Sequence, residues 1–153
     1  MAQHPLDSLS ADELRRTAYI VRSESRVNDG WRFASIELKE PEKSFVKAWS
    51  PGEAVPRTSF AVLLDRTENK TYEATVDLVS EKLLSFEHIP GVQPNFTVDE
   101  FYEVDEAMRK NPDVIAALAA RGYTDMSLIL IDTWAYGKAL MPATVELARA
   151  TLV

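Results

Sequence analysis

Cysteine is absent from these 153 residues. Disulfides, thiolate metal ligands and a thiol nucleophile are excluded with it. The absence fits a reducing compartment. Histidine is scarce as well, with only His4 and His88. A zinc or copper site normally draws three or more ligands from His, Cys or carboxylate, so this ligand count predicts no metal site. Long apolar runs are also missing. "AVLL", "LILI" and "VIAALAA" fall far short of the ~20 residues a bilayer-spanning helix needs. The start, "MAQHPLDSLSADELRR", has no positive region followed by an apolar one, so it does not read as a signal peptide. A cytoplasmic protein without membrane contact is expected. Without a secretion signal, the triplets Asn69-Lys70-Thr71 and Asn95-Phe96-Thr97 read as chance matches to a glycosylation motif. Basic residues are outnumbered, 17 against 24 acidic, and form no stripe, which argues against nucleic acid or an anionic membrane as partner. No GxGxxG, P-loop or GxSxG motif occurs.

What is present is an ordinary globular composition, 46% hydrophobic and 27% charged. A helix is expected from about Ala11 to Arg26. Ser10 and Glu13 form a capping box, Leu9 and Leu14 a hydrophobic staple, and Leu14, Ala18 and Val21 one apolar face. Period 2 follows. In "WRFASIELKEP", Ala34, Ile36 and Leu38 share one side and Phe33 lies opposite. The stretch 42–57, rich in proline, reads as a loop around a short strand "SFVKAW". "SFAVLLD", "TYEATVDLVS" and "KLLSFEHI" read as strands joined by short turns, hence an antiparallel meander. Residues 1–90 are therefore expected to form a self-contained α+β module, one helix on a four-stranded sheet.

"IPGVQPNFTVDEF" stops the last strand with Pro90, Gly91 and Pro94. Thr97 and Glu100 then form a second capping box, with Phe96 and Phe101 at the staple positions. "FTVDEF" matches "LSADEL" role for role, and Arg22 and Arg109 end the aligned helices. A second module is expected to begin at residue 91. Asn111-Pro112 starts another helix, which closes at Gly122. "MSLILID" reads as a buried strand, "WAYGKALMP" as loop, and "ATVELARATLV" as either helix or strand. One or two strands cannot close a sheet, so the module spanning 91–153 is expected to be truncated.

No constellation of residues specifies catalysis. His4 and His88 read as structural or surface residues, and His88 shares a strand side with Leu84 and Phe86. The acidic cluster Asp99, Glu100, Glu103, Asp105 and Glu106 fits a helix N-terminus and a solvated face. Trp31, Phe33, Trp49, Phe60 and Phe86 have no basic interleaving and suit packing.

Three stretches, "HPLDSLSADEL", "GVQPNFTVDEF" and "GYTDMSLILIDTWAYG", resemble the N-terminal region of copper-containing primary amine oxidases of bacterial and fungal type. The resemblance implies a fold of two small modules, each with helix packed on antiparallel sheet (cystatin-like). The first, 1–90, is N2-like; the second, 91–153, is N3-like and incomplete. In that family a large β-sandwich domain follows, holding copper on three histidines and topaquinone made from a tyrosine. The reaction is oxidative deamination of a primary amine by O₂ to aldehyde, ammonia and hydrogen peroxide. No Asn-Tyr pair and no His-x-His occurs in this sequence, so no catalytic, cofactor-binding or metal residue carries over. The resemblance implies a non-catalytic portion of an amine oxidase whose partners are the missing C-terminal β-sandwich domain and, for the full-length enzyme, a second copy in a homodimer. A stand-alone α+β binding module is the alternative. The resemblance also points to Phe101, Thr133 and Trp134 as the mouth of a substrate channel. Staple packing is the preferred account of Phe101, and turn packing that of Trp134, because burial explains aromatics at these places.

Overall fold

The computed structural model of the chain describes residues 4–134. The chain divides into two compact units between Asn95 and Phe96.

In the first unit, α1 (Ala11–Glu24) precedes β1 (Trp31–Leu38), α2 (Lys43–Ala48), β2 (Thr58–Asp65), β3 (Lys70–Asp77) and β4 (Lys82–Ile89). The four strands pair antiparallel in the order β1-β2-β3-β4; short turns join β2, β3 and β4, and the longer link carrying α2 joins β1 to β2. α1 packs on one face of the sheet. Its capping box is formed: Glu13 N–H donates to Ser10 Oγ at 3.3 Å, and Glu13 Oε2 accepts from Ser10 N–H at 2.8 Å. The core comprises Ile20 and Val21 of α1, Val27, Trp31, Ala61, Leu63, Tyr72, Ala74, Val76 and Leu78. Thr17 and Ser59 place hydroxyls in this core, and a 2.7 Å hydrogen bond between them satisfies both.

Two bulges set which side chains face α1. On β1, Phe33 pairs with Leu63 and Ser35 with Val62, so Ala34 is an extra residue without a partner. The bulge reverses the alternation. Phe33 and Ile36 therefore both pack against the core although they are three positions apart. Unbroken alternation, with Phe33 opposite Ile36, is corrected here. On β4, Thr75 pairs with Ser85 and Val76 with Leu83, leaving Leu84 as the extra residue. Leu83 and Phe86 turn inward, and Leu84 is exposed. His88 thus shares a side with Phe86 and Leu83 rather than with Leu84.

Both hairpins use the same turn chemistry. Asp65 Oδ1 accepts from the N–H groups of Thr67 and Glu68, and Asp77 Oδ1 from those of Val79 and Ser80. Asn69 and Glu81, four positions after each aspartate, close the turns at φ 50° and 55°. "SFVKAW" is helical, not a strand. With no neighbouring strand to pair with, it satisfies its backbone locally, through Val46 N–H to the Glu42 carbonyl and Trp49 N–H to that of Phe45.

In the second unit, α3 (Val98–Lys110) and α4 (Pro112–Ala119) precede a 3-10 turn, Met126–Leu128. The α3 capping box repeats that of α1, with Glu100 N–H to Thr97 Oγ1 at 3.3 Å and Thr97 N–H to Glu100 Oε2 at 2.7 Å. Asn111 caps α4 through its side-chain oxygen. Gly122, at φ 89°, ends it. The Tyr123 N–H bonds to the Leu118 carbonyl and the Gly122 N–H to that of Ala119, the paired bonds of a Schellman motif. "MSLILID" is not a buried strand. It opens as the 3-10 turn and continues without a ladder, leaving Leu128 and Leu130 exposed. Among the described residues of this unit there is no strand to pair with it, and a strand forms only against a partner. The segment 143–153 lies outside the described residues.

Candidate functional site

A buried polar arrangement is built on Arg57, which the proline-rich loop delivers to the start of β2. Its guanidinium is buried. Nε donates to Glu13 Oε1 at 2.7 Å and Nη2 to Glu13 Oε2 at 3.1 Å, a two-point grip on the carboxylate. Nη1 donates to the Asp7 carbonyl at 2.7 Å and Nη2 to that of Ser8 at 3.2 Å. Arg57 thereby ties the segment before α1, the first turn of α1 and the edge of β2 together. These hydrogen bonds from Arg57 lower the Glu13 carboxyl to about 2, with Ser10 contributing through its own bonds. The group is a structural anchor. Both Glu13 oxygens are already engaged, Oε1 by Arg57 and Oε2 by Arg57 and Ser10.

Arg109 plays a similar part in the second unit. Nε and Nη2 grip Asp105 at 2.7 and 3.1 Å, while Nη1 reaches the Met126 carbonyl at 2.5 Å and Nη2 that of Ile129 at 2.8 Å. The Asp105 carboxylate raises the Arg109 guanidinium above its usual range. One arginine thus fastens the segment 126–129 to α3. Neither anchor was apparent in the sequence. Glu13 reads there as a capping residue, and its partner lies 44 positions away.

The remaining candidates are dispersed. His4 packs edge-on to Trp49 at 5.1 Å, and His88 lies against Tyr72 at 5.3 Å. Tyr72 also stacks on Phe86 and tilts against Trp31, so the strand aromatics form packing around the core. In the acidic cluster, Glu100 completes the cap, Asp105 is held by Arg109, and Glu106 pairs with Lys110. Phe101 lines a shallow recess of about 240 Å³ with Phe96, Thr97, Val98 and Tyr102. Thr133 is half-buried, and its hydroxyl finds no partner among the described residues. Trp134 is exposed. Neither Thr133 nor Trp134 lines the recess at Phe101.

Comparison with known proteins decides the lineage. A family profile described as "Copper amine oxidase, N2 domain" matches residues 4–89, more than half of the chain. The chain belongs to the copper amine oxidase family. It is 42% identical over 135 residues to a primary amine oxidase of Arthrobacter sp. (strain P1), covering 88% of this chain and 20% of that protein. It is 35% identical over 126 residues to a primary amine oxidase of Klebsiella aerogenes, covering 80% of this chain and 16% of that protein. The chain therefore spans about a fifth or less of the length of these relatives. A crystal structure of a copper-containing benzylamine oxidase from Hansenula polymorpha superposes with a TM-score of 0.63 at 19% identity, over 76% of this chain and 19% of that one. That likeness concerns the fold alone. It supports the α+β class, a four-stranded antiparallel sheet with helices.

The copper of a copper amine oxidase needs a cluster of nitrogen donors. Among the described residues no three His, Cys, Asp or Glu side chains are grouped to hold a metal ion. His4 and His88 are each committed to a different aromatic neighbour. These residues do not fit a copper centre, and no chemical step through copper follows from them. No helix among the described residues is long and apolar enough to cross a membrane.

Proposed function

We propose that this chain is the N2 module and the beginning of the N3 module of a copper amine oxidase, and that it serves as a non-catalytic scaffold. The observation that carries the reading is the N2 match over residues 4–89, the stretch in which α1 and the four strands enclose one core. An alignment of 135 residues with the Arthrobacter protein cannot be contained within residues 4–89. That length supports assigning the part from residue 91 onward to the N3 module. Copper and topaquinone belong to a β-sandwich domain outside this chain, which is also the surface for homodimer formation. The whole enzyme oxidises a primary amine, and its location is cytoplasmic. Phe101, Thr133 and Trp134 contribute to the channel mouth once that domain is present; the exposed indole of Trp134 and the unpartnered hydroxyl of Thr133 support this role.

A domain exchange tests the reading. Residues 4–89 are placed in the Arthrobacter primary amine oxidase in exchange for its own matching segment. The chimera is expected to fold and to retain amine oxidation. A chimera that folds and binds copper but no longer turns over would contradict a purely scaffolding role.

A further inference from the structure

Between α1 and β1 the chain turns through Asn28, Asp29 and Gly30. This is the sole Asp-Gly pair in the sequence, and no Asn-Gly pair occurs. The Asp29 side chain projects fully into solvent, with Arg22 Nη1 at 3.5 Å from Oδ1, a weak exposed contact. Gly30 carries no Cβ to shield its backbone nitrogen. That nitrogen donates its hydrogen to Asn28 Oδ1 at 2.8 Å.

We propose that Asp29–Gly30 is a site of spontaneous backbone modification, converting to isoaspartate in the folded chain at a rate restrained by Asn28. The Gly30 nitrogen bonds to the side-chain carboxyl carbon of Asp29, and a carboxyl oxygen leaves with two protons as water, closing a succinimide. Water then adds at the main-chain carbonyl carbon of Asp29 and breaks its bond to the Gly30 nitrogen, which regains a proton. One water leaves and one enters, so mass is unchanged. The main chain now runs through the Asp29 side-chain methylene. The Asn28 bond opposes the first step because it holds the amide hydrogen that must be lost.

The added methylene falls where the fold has little slack. The Gly30 carbonyl accepts from Arg66 N–H at 3.3 Å, and Trp31 N–H donates to the Asn28 carbonyl at 3.0 Å. Lengthening the chain between these bonds loosens the turn from the β2–β3 hairpin and displaces the entry of the Trp31 indole into the core. A Cβ at position 30 would lie 3.1 Å from Asn28 Oδ1, so a side chain there requires that oxygen to give by a few tenths of an ångström.

The test incubates the full chain and a free peptide spanning 26–32 in heavy-oxygen water at neutral pH. Digestion in ordinary water and mass spectrometry then report label at residue 29. Label is expected in the folded wild type, more slowly than in the peptide, and none in Asp29→Glu. Asn28→Ala removes one hydrogen bond and is expected to label roughly fivefold faster than wild type while staying slower than the peptide. Asn28→Asp keeps an acceptor oxygen and is expected to label at the wild-type rate. An unlabelled folded chain when the peptide has fully converted overturns the proposal. Equal rates in wild type and Asn28→Ala, or a several-fold change in Asn28→Asp, overturn the restraining role of Asn28.

Discussion

Arg57 and Glu13 together tie the start of β2 to the first turn of α1 and to the segment just before it. Arg57→Met removes the guanidinium and leaves Glu13 Oε1 and the Asp7 and Ser8 carbonyls without this donor. The expected loss is about 3 kcal/mol of unfolding free energy, read from denaturant midpoints. The pair also sets acid stability. Glu13 falls from 4.5 in the unfolded chain to about 2 in the folded one. Its contribution is therefore full above about 4.5 and is lost as pH falls from there towards 2. Glu13→Gln is expected to flatten that part of the stability profile, and an unchanged acid slope would rule out the linkage. Local sequence announced half of this arrangement. The Ser10–Glu13 box is a short-range pattern and was legible, whereas a contact spanning 44 positions carries no local signature.

At the scale of elements, helix starts and strand order were readable because caps, proline breaks and short turns act within a few residues. The bulges were not. An extra residue at Ala34 or Leu84 leaves the composition of its strand unchanged and shows only in the pairing with the neighbour. Deleting Ala34 removes the extra residue, so Phe33 and Ile36 keep facing the core by simple alternation and the register of β1 on β2 is unchanged. The expected change in unfolding free energy is within about 1 kcal/mol, measured by chemical unfolding. The failure of "SFVKAW" and "MSLILID" as strands has a related cause. Apolar content alone does not make a strand; a neighbouring edge does. The capping boxes give a cleaner comparison. Thr97→Ala should cost α3 about 1 kcal/mol, seen as faster amide exchange in its first turns, because α3 has no buried residue to compensate.

On the scale of the whole molecule, the first unit encloses its core, while the second displays apolar side chains such as Tyr102, Leu128, Leu130 and Trp134. Membership of the family was legible from three short stretches. The channel mouth is a proposal that no local pattern carries: Phe101 lines a recess that Thr133 and Trp134 do not. The central claim is that this chain carries the scaffold of an amine oxidase without its chemistry. The direct measurement is hydrogen peroxide release by the purified chain, supplied with copper, O₂ and a primary amine. No amine-dependent peroxide is the predicted result. Sustained turnover that follows the concentration of this chain would contradict it.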